Sequence, residues 1–246
     1  MTFSFIIDES TRGYRFALRA LDIAVAATGL LLCLPLMLLI SLALLVTQGS
    51  VLFRQTRIGK GGRPFPMFKF RTMSPLADPY ARKPSRNTSQ VTPIGRYLRK
   101  TGLDELPQLW NVLAGSMSLV GPRPEMGFIV DEYDSTQQLR LNARPGITGL
   151  WQISAVRQEP IHHHIEYDLF YLANRRLLFD LWIMLSTPLV LLAGRSITLD
   201  DPMAARWERR RGLVVAKQQA EPIRMRVDGV AAATEAAVAE GGGSIL

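Results

Sequence analysis

The sequence predicts a mostly α-helical chain with one small β-hairpin and an N-terminal membrane segment. Three observations carry that prediction. Residues 21–47 form a long apolar run with no charge after Asp22. Two short strand-like runs, 51–57 and 65–71, flank a glycine turn. Segments further on repeat their apolar residues at helical spacing.

The apolar run comes first. As a helix it rises about 1.5 Å per residue, enough to cross a hydrocarbon core of roughly 30 Å. Pro35 lies in its middle and lacks an N–H, so a kink or break is expected there. The hydroxyl of Ser41 or a neighbouring helix would satisfy the freed carbonyls. Both flanks are basic: Arg12, Arg15 and Arg19 before, Arg54, Arg57, Lys60, Arg63, Lys69 and Arg71 after. A simple spanning helix leaves the poorer flank outside. Two basic flanks suit a helix–break–helix hairpin that enters one leaflet and returns. An ordinary spanning helix with a proline kink fits the residues equally well, and a buried soluble helix fits less well.

Residues 1–11 read as loose, and 12–20 as an interfacial lead-in. Residues 51–57 and 65–71 read as paired strands around 60–63, with Pro66 weakening the start of the second. Residues 74–92 lack periodicity and read as a loop, a candidate lid. A short helix is expected at 94–100. At 104–114 Leu106, Leu109, Trp110 and Leu113 form a helical apolar face, with Asp104 and Glu105 at its start and Gly115 as its stop. Residues 120–125 read as a rigid turn. A helix over 125–142 puts Glu125, Glu132 and Arg140 on its wet side. Residues 144–153 read as a turn and an extended segment, and 163–176 as a helix. The apolar stretch 177–193 carries Asp180 and Pro188 and suits a helix lying in the interface or packing on the hairpin. From 201 the chain turns basic, then Ala/Gly-rich, and reads as a disordered tail. The expected units are 1–48 (interfacial and membrane segment), 49–200 (catalytic domain with interfacial helices) and 201–246 (tail).

The chain has 246 residues, a net charge of +8 and one cysteine, Cys33. An internal disulfide framework is excluded, and a reducing compartment is the natural setting. The apolar run starts late and lacks a cleavage-site exit, against a signal peptide. With a membrane segment present, the positive charge points to anionic lipids or a phosphorylated substrate rather than nucleic acid.

Asp104 and Glu105 are the strongest candidates for chemistry. Neighbouring residues do not share a helix face, so the two carboxylates can hold separate roles. Arg99 and Lys100 precede them, Lys69 and Arg71 arrive from the hairpin, and Arg123 sits in a stiff Gly-Pro-Arg-Pro turn. Carboxylates among guanidinium groups suit a reaction in which a phosphate approaches an anion, with Mg²⁺ offsetting the remaining repulsion. An N-cap aspartate beside a solvated glutamate is the plainer reading of the pair. His162, His163 and His164 are consecutive and read as surface residues, not a metal site. The RPGITG segment either shapes a nucleotide or sugar pocket or is a structural turn.

Several motifs occur together and in order. They are the basic-Ala-Leu-Asp lead-in at 19–22, the Pro35 helix, GSVLFRQTRIGKGGRPFPMFKFRTM at 49–73, TPIGRYLRKTGLDELPQLWNVLAGSMSLVGPRPE at 92–125, RPGITGLWQI at 144–153 and YDLFYLANRRLLFDLWIML at 167–185. Over roughly 15–198 the chain resembles the bacterial sugar transferases, the monotopic phosphoglycosyl transferases that prime glycan assembly on polyprenyl phosphate. The resemblance implies a re-entrant helix broken at Pro35, although Leu34 stands where the family has serine. It implies that Asp104 attacks the β-phosphate of a UDP-sugar, that UMP leaves, and that undecaprenyl phosphate takes the phosphosugar. Glu105 would hold Mg²⁺, possibly with Asp104. Arg99 and Arg123 would bind phosphate, with Lys69 and Arg71 as weaker assignments. It further implies the cytoplasmic face of a bacterial inner membrane, anionic lipids as surroundings, and downstream glycosyltransferases that use the product; helices at 163–193 could support a homodimer. Glucose or galactose is the preferred sugar, ahead of N-acetylated or diamino sugars. The competing functions are a polyprenol-phosphate glycosyltransferase or phosphatase without the covalent intermediate, and a non-catalytic scaffold of polysaccharide export.

Overall fold

The computed structural model describes residues 12–74, 77 and 90–193. The 1–11 segment, most of the 74–92 loop and the tail lie outside the described residues. Helix α1 (Arg12–Gln48) is followed by strands β1 (Leu52–Ile58) and β2 (Pro64–Phe70), then helices α2 (Pro93–Thr101) and α3 (Gln108–Ala114). Strand β3 (Ser118–Val120), the short helices α4 (Gly127–Val130) and α5 (Ser135–Gln138), strand β4 (Gly146–Thr148) and helices α6 (Ile165–Asn174) and α7 (Leu177–Ala193) complete the order. The fold is mostly helical with a small antiparallel hairpin, as the sequence predicts. In that hairpin β1 pairs with β2 from Leu52↔Phe70 to Ile58↔Pro64. A second pairing, the parallel β3–β4, was not foreseen; each of its strands has only three residues.

Helix α1 is long and apolar enough to cross a membrane by length and composition. It runs as one continuous helix with Pro35 inside it, so the expected interruption is not seen in its secondary structure. Ser41 does not rescue the carbonyl that Pro35 leaves free at Leu31; its hydroxyl donates to Met37 O at 2.7 Å. The helix docks on one domain through both halves. In the first half Tyr14 donates to Asp180 at 2.7 Å. Arg19 donates to Val112 O and Leu113 O at 2.6 and 2.8 Å, capping the last carbonyls of α3. Arg19 is thus a structural clamp, not a headgroup ligand. Asp22, with 0% exposure, accepts from the Ser118 hydroxyl and the Leu119 N–H. In the second half Ile40 and Leu44 are buried with Phe70 and Leu98, and Met37 packs beside them. The outer face exposes Leu31, Leu32, Leu38, Leu39, Leu42 and Val46. Contact of one domain with both halves of the helix is consistent with a monotopic, re-entrant arrangement.

The main core lies under α6 and α7. It joins Val112, Met117, Leu150, Ile153, Phe179 and Ile183. The second core is smaller, and it matters for the site. Leu103 and Leu106 pack into it from either side of residues 104–105, so the second half of α1 and the base of the hairpin grip the turn that carries the two carboxylates.

Two other expectations are corrected. The segment 125–142 is not one helix: α4 and α5 are separated by a turn, and Leu139–Asn142 is a 3₁₀ turn. Asp134 and Gln137 form a capping box that starts α5 afresh. Glu125 and Arg140 are buried, not wet. Trp110 is not part of a buried face but 60% exposed.

The arginine turn is set by close backbone approach. Gly121 donates to Thr148 O at 2.9 Å, and Gly146 donates to Pro122 O at 2.9 Å. A Cβ on Gly121 would overlap the Arg144 carbonyl and the Gly146 nitrogen. Gly121→Ala is expected to cost about 1–3 kcal/mol and to lower activity by moving Arg123; thermal unfolding and turnover measure the two effects. Asp22→Ala is expected to cost about 1–3 kcal/mol for each donor left buried, read as a lower unfolding midpoint in detergent.

Candidate active site

The site is built where the hairpin meets the 102–108 connection. Asn111 on α3 joins the two elements. Its Oδ1 accepts from Phe68 N at 3.1 Å and its Nδ2 donates to Pro66 O at 2.7 Å. One side chain thus satisfies two of the backbone groups on the free edge of β2, which a strand edge otherwise leaves open. Asn111 escaped the sequence reading, because a lone amide in a helix carries no periodic signal.

The carboxylates do not open an α-helix as expected. Leu103–Glu105 is a 3₁₀ turn, and α3 begins only after Pro107. Gly102 enters the turn with φ 74°, a conformation that favours glycine. The local charges, not the dipole of a following helix, therefore set the state of the pair. Glu105 is clamped: Lys69 Nζ lies 2.5 Å from its Oε1, and Arg123 Nη1 lies 3.6 Å from the same oxygen. Burial alone would raise its pKa, but Lys69 and Arg123 overcome that and hold it at about 2. Asp104 is different. It is buried at 8% exposure, and among the described residues its carboxylate forms no hydrogen bond or ion pair. Burial raises its pKa; Lys69, Arg99 and Arg123 oppose the rise and the Glu105 charge reinforces it. An unengaged, relatively basic carboxylate beside cations is suited to nucleophilic attack.

Arg99 is fixed from the side. Its Nε donates to Thr72 Oγ1 at 2.9 Å. Thr72 O in turn accepts from Thr92 N at 3.1 Å, and the Thr92 hydroxyl caps α2 by accepting from Gly95 N. Of the predicted basic residues, the structure brings Lys69, Arg99 and Arg123 into the electrostatic field of the carboxylates. Arg71 forms no ion pair with either carboxylate among the described residues, and its Nε is buried without a partner.

Arg123 is braced from behind by groups the sequence did not reveal. Arg140 Nη2 donates to Arg123 O at 2.6 Å, and the same guanidinium is held by Asp168 at 2.8 Å and by the Tyr133 hydroxyl. Arg57 donates to Pro124 O at 3.4 Å and lies 3.9 Å from Glu125. Burial lowers the Arg57 pKa to about 10, and the charge of Glu125 limits the fall. Ile58 N closes the frame on Glu125 O at 2.9 Å.

No group of three or more potential metal ligands exists among the described residues. An all-protein cage is therefore not what this site offers. Mg²⁺, however, takes one or two carboxylates and completes its shell with substrate phosphates and water. Adjacent Asp104 and Glu105, the former without an ion-pair or hydrogen-bond partner among the described residues, fit that demand. His164 lies between Glu159 and Glu166 at 2.7 and 3.2 Å and His163 is exposed, in keeping with surface histidines.

Comparison with known proteins now adds a lineage. The family model described as bacterial sugar transferase matches residues 13–194. The chain is 39% identical over 193 residues to the UDP-glucose:undecaprenyl-phosphate glucose-1-phosphate transferase of Klebsiella pneumoniae, covering 74% of this chain and 42% of that one. It is 38% identical over 214 residues to the exopolysaccharide production protein ExoY of Rhizobium meliloti, covering 78% and 95%. A UDP-glucose:undecaprenyl-phosphate glucose-1-phosphate transferase of Caulobacter vibrioides is 44% identical over 179 residues, covering 69% and 67%. The chain thus spans under half the length of the Klebsiella protein and nearly all of ExoY. Matched along most of its described length, the chain belongs to the bacterial sugar transferase family.

Proposed function

We propose that the protein is a phosphoglycosyl transferase that moves a sugar-1-phosphate from a UDP-sugar to undecaprenyl phosphate, the first membrane step of glycan assembly. One observation supports this above the others: a carboxylate, Asp104, with no ion-pair or hydrogen-bond partner among the described residues, buried beside Glu105 and three cationic side chains. The relatives' activities point the same way.

The chemistry follows from the residues. An Asp104 oxygen attacks the β-phosphorus of the UDP-sugar. The bond from that phosphorus to the bridging oxygen breaks, and its electron pair leaves with UMP. The phosphosugar is then held on Asp104 as an acyl phosphate. A phosphate oxygen of the polyprenyl acceptor attacks the same phosphorus, and the electron pair returns to the Asp104 carboxylate. Arg99, Arg123 and Lys69 bind phosphate oxygens and lower the repulsion between the reacting anions. Glu105 and Asp104 would hold Mg²⁺, which supplies charge neutralisation of the diphosphate. A covalent relay lets one cationic site serve two anionic substrates in turn. Arg71 is given no direct role.

The acceptor lies in the membrane, and α1 sets the depth of the site through the core it shares with the 103–106 turn. The protein works at the bacterial inner membrane with these residues on the cytoplasmic face. Glucose or galactose is the first choice of sugar; named relatives also include an N-acetylgalactosamine-phosphate transferase.

Membranes carrying the protein, incubated with a panel of UDP-sugars and undecaprenyl phosphate, are expected to release UMP and not UDP. Release of UDP would support a simple glycosyltransferase instead. Asp104→Asn is expected to lower turnover on the order of 10⁴-fold, as for loss of a catalytic nucleophile, with an unchanged unfolding midpoint. Labelled phosphosugar retained on that variant would overturn the assignment.

Acid stability tests the clamp. The folded Glu105 pKa is about 2 against an ordinary 4.5, a depressed acid. Its contribution is complete above pH 4.5 and is lost as pH falls toward 2. In Glu105→Gln the fall in unfolding midpoint across that window is expected to be shallower than in the native chain.

A further inference from the structure

A second group of cations lies at the opposite end of the hairpin from the candidate active site. It comprises Lys60 at the hairpin tip, Arg144 just before β4, Arg175 at the α6–α7 junction and Arg15 in the first turns of α1. Four separate elements supply these residues, and hydrogen bonds explain why they meet. Tyr14–Asp180 brings the start of α1 to the α6–α7 junction. Asp22–Ser118 lays α1 on β3, and Ser118 N bonds Pro145 O at 2.8 Å, which puts Arg144 on the same side. Lys60–Gly62 packs against the 3₁₀ turn at Leu139–Asn142, immediately before Arg144. Pro64 and Lys69 are five residue steps apart along β2, about 17 Å at the ordinary strand rise, so Lys60 stands at the far end of the hairpin from Lys69 and the carboxylates.

Among the described residues none of the four forms an ion pair, and the Arg175 Nε is buried without a hydrogen-bond partner. The two carboxylates nearby temper the charges of Arg144 and Arg175 from beyond ion-pair distance, and each is held by other donors. Asp22 accepts from Ser118 and Leu119, and Asp180 accepts from Tyr14 and Tyr171. The Lys60 pKa is lowered first by partial desolvation and then by repulsion from Arg144, Arg175 and Arg15. Like charges assembled at this closeness favour an anion between them. The surroundings say which kind. Beside Arg15, Phe16 is 78% exposed, and Ile23, two turns on, continues an exposed apolar face of α1. A phosphate next to hydrocarbon matches a phospholipid, not a soluble metabolite.

We infer that Lys60, Arg144, Arg175 and Arg15 form a binding site for the phosphate of an anionic phospholipid at the entry of α1, with the acyl chains along the exposed face of the helix. The test reads lipid binding alone, apart from turnover.

Native mass spectrometry of the full chain, released from mixed micelles of phosphatidylglycerol and phosphatidylcholine, measures the lipid retained. The native chain is expected to keep phosphatidylglycerol in preference. The triple variant Lys60→Ala, Arg144→Ala, Arg175→Ala is expected to weaken that retention at least about tenfold, given the attraction each basic side chain contributes near an anionic surface. The double variant Arg54→Ala, Arg96→Ala removes two exposed cations elsewhere and is expected to keep it. Lys60→Ala alone, at an exposed tip, is expected to give a smaller loss with an unchanged unfolding midpoint, so a misfolded triple variant would not decide the matter. Equal retention in Lys60→Ala and the native chain, or equal loss in the control double variant, would overturn the inference. So would calorimetric binding of inorganic phosphate that the Lys60 change abolishes while leaving lipid retention untouched, since that assigns the site to a soluble phosphate.

Discussion

A buried carboxylate on an apolar helix ties this protein together. Asp22 would be costly to bury alone, and it is tolerated because the Ser118 hydroxyl and the Leu119 N–H meet it. Those donors belong to β3, which leads straight into the Gly-Pro-Arg-Pro turn. Docking of the membrane helix and placement of Arg123 are therefore one structural event. Asp180 repeats the device at the start of α1, held by Tyr14 and Tyr171. Burial raises the Asp180 pKa to about 6, with the two tyrosine hydroxyls limiting the rise. Helix α1 is thus joined to the domain by directional bonds as well as by apolar contact, and directional bonds fix rotation about its axis.

The candidate active site uses rigidity of another kind. Lys69 comes from a strand whose edge Asn111 closes, Arg99 from a helix capped by Thr92, and Arg123 from a turn braced by Arg57 and Arg140. Each cation reaches the carboxylates from a different element, and each element is pinned by a polar contact. Preorganised charge of this sort needs little rearrangement when a phosphate arrives.

Much of this was legible in the sequence. The hairpin, α2, the Gly115 stop, the apolar helix and the carboxylate pair could be read from turn residues, periodicity and motif order. Three things could not. The break of 125–142 into short pieces depends on Asp134 restarting a helix, which competes with an otherwise continuous polar pattern. The burial of Arg140 and Glu125 depends on Asp168 and Arg57, partners distant in sequence. The 3₁₀ turn at 103–105 depends on Gly102 and Pro107, which outweigh the acidic pair as a helix start. Asp22 and Asp180 offered a usable signal, since a charge inside an apolar run implies a partner, but the partners' identity lay in tertiary structure.

The clamp on Glu105 has a bearing on substrate affinity. In the resting chain this carboxylate already occupies Lys69 and Arg123, two of the groups a diphosphate would seek. On the proposed reading, substrate entry is an exchange of one anion for another, and the affinity is a difference between two large attractions. On that reading the same exchange releases Glu105 for the metal-binding role proposed for it.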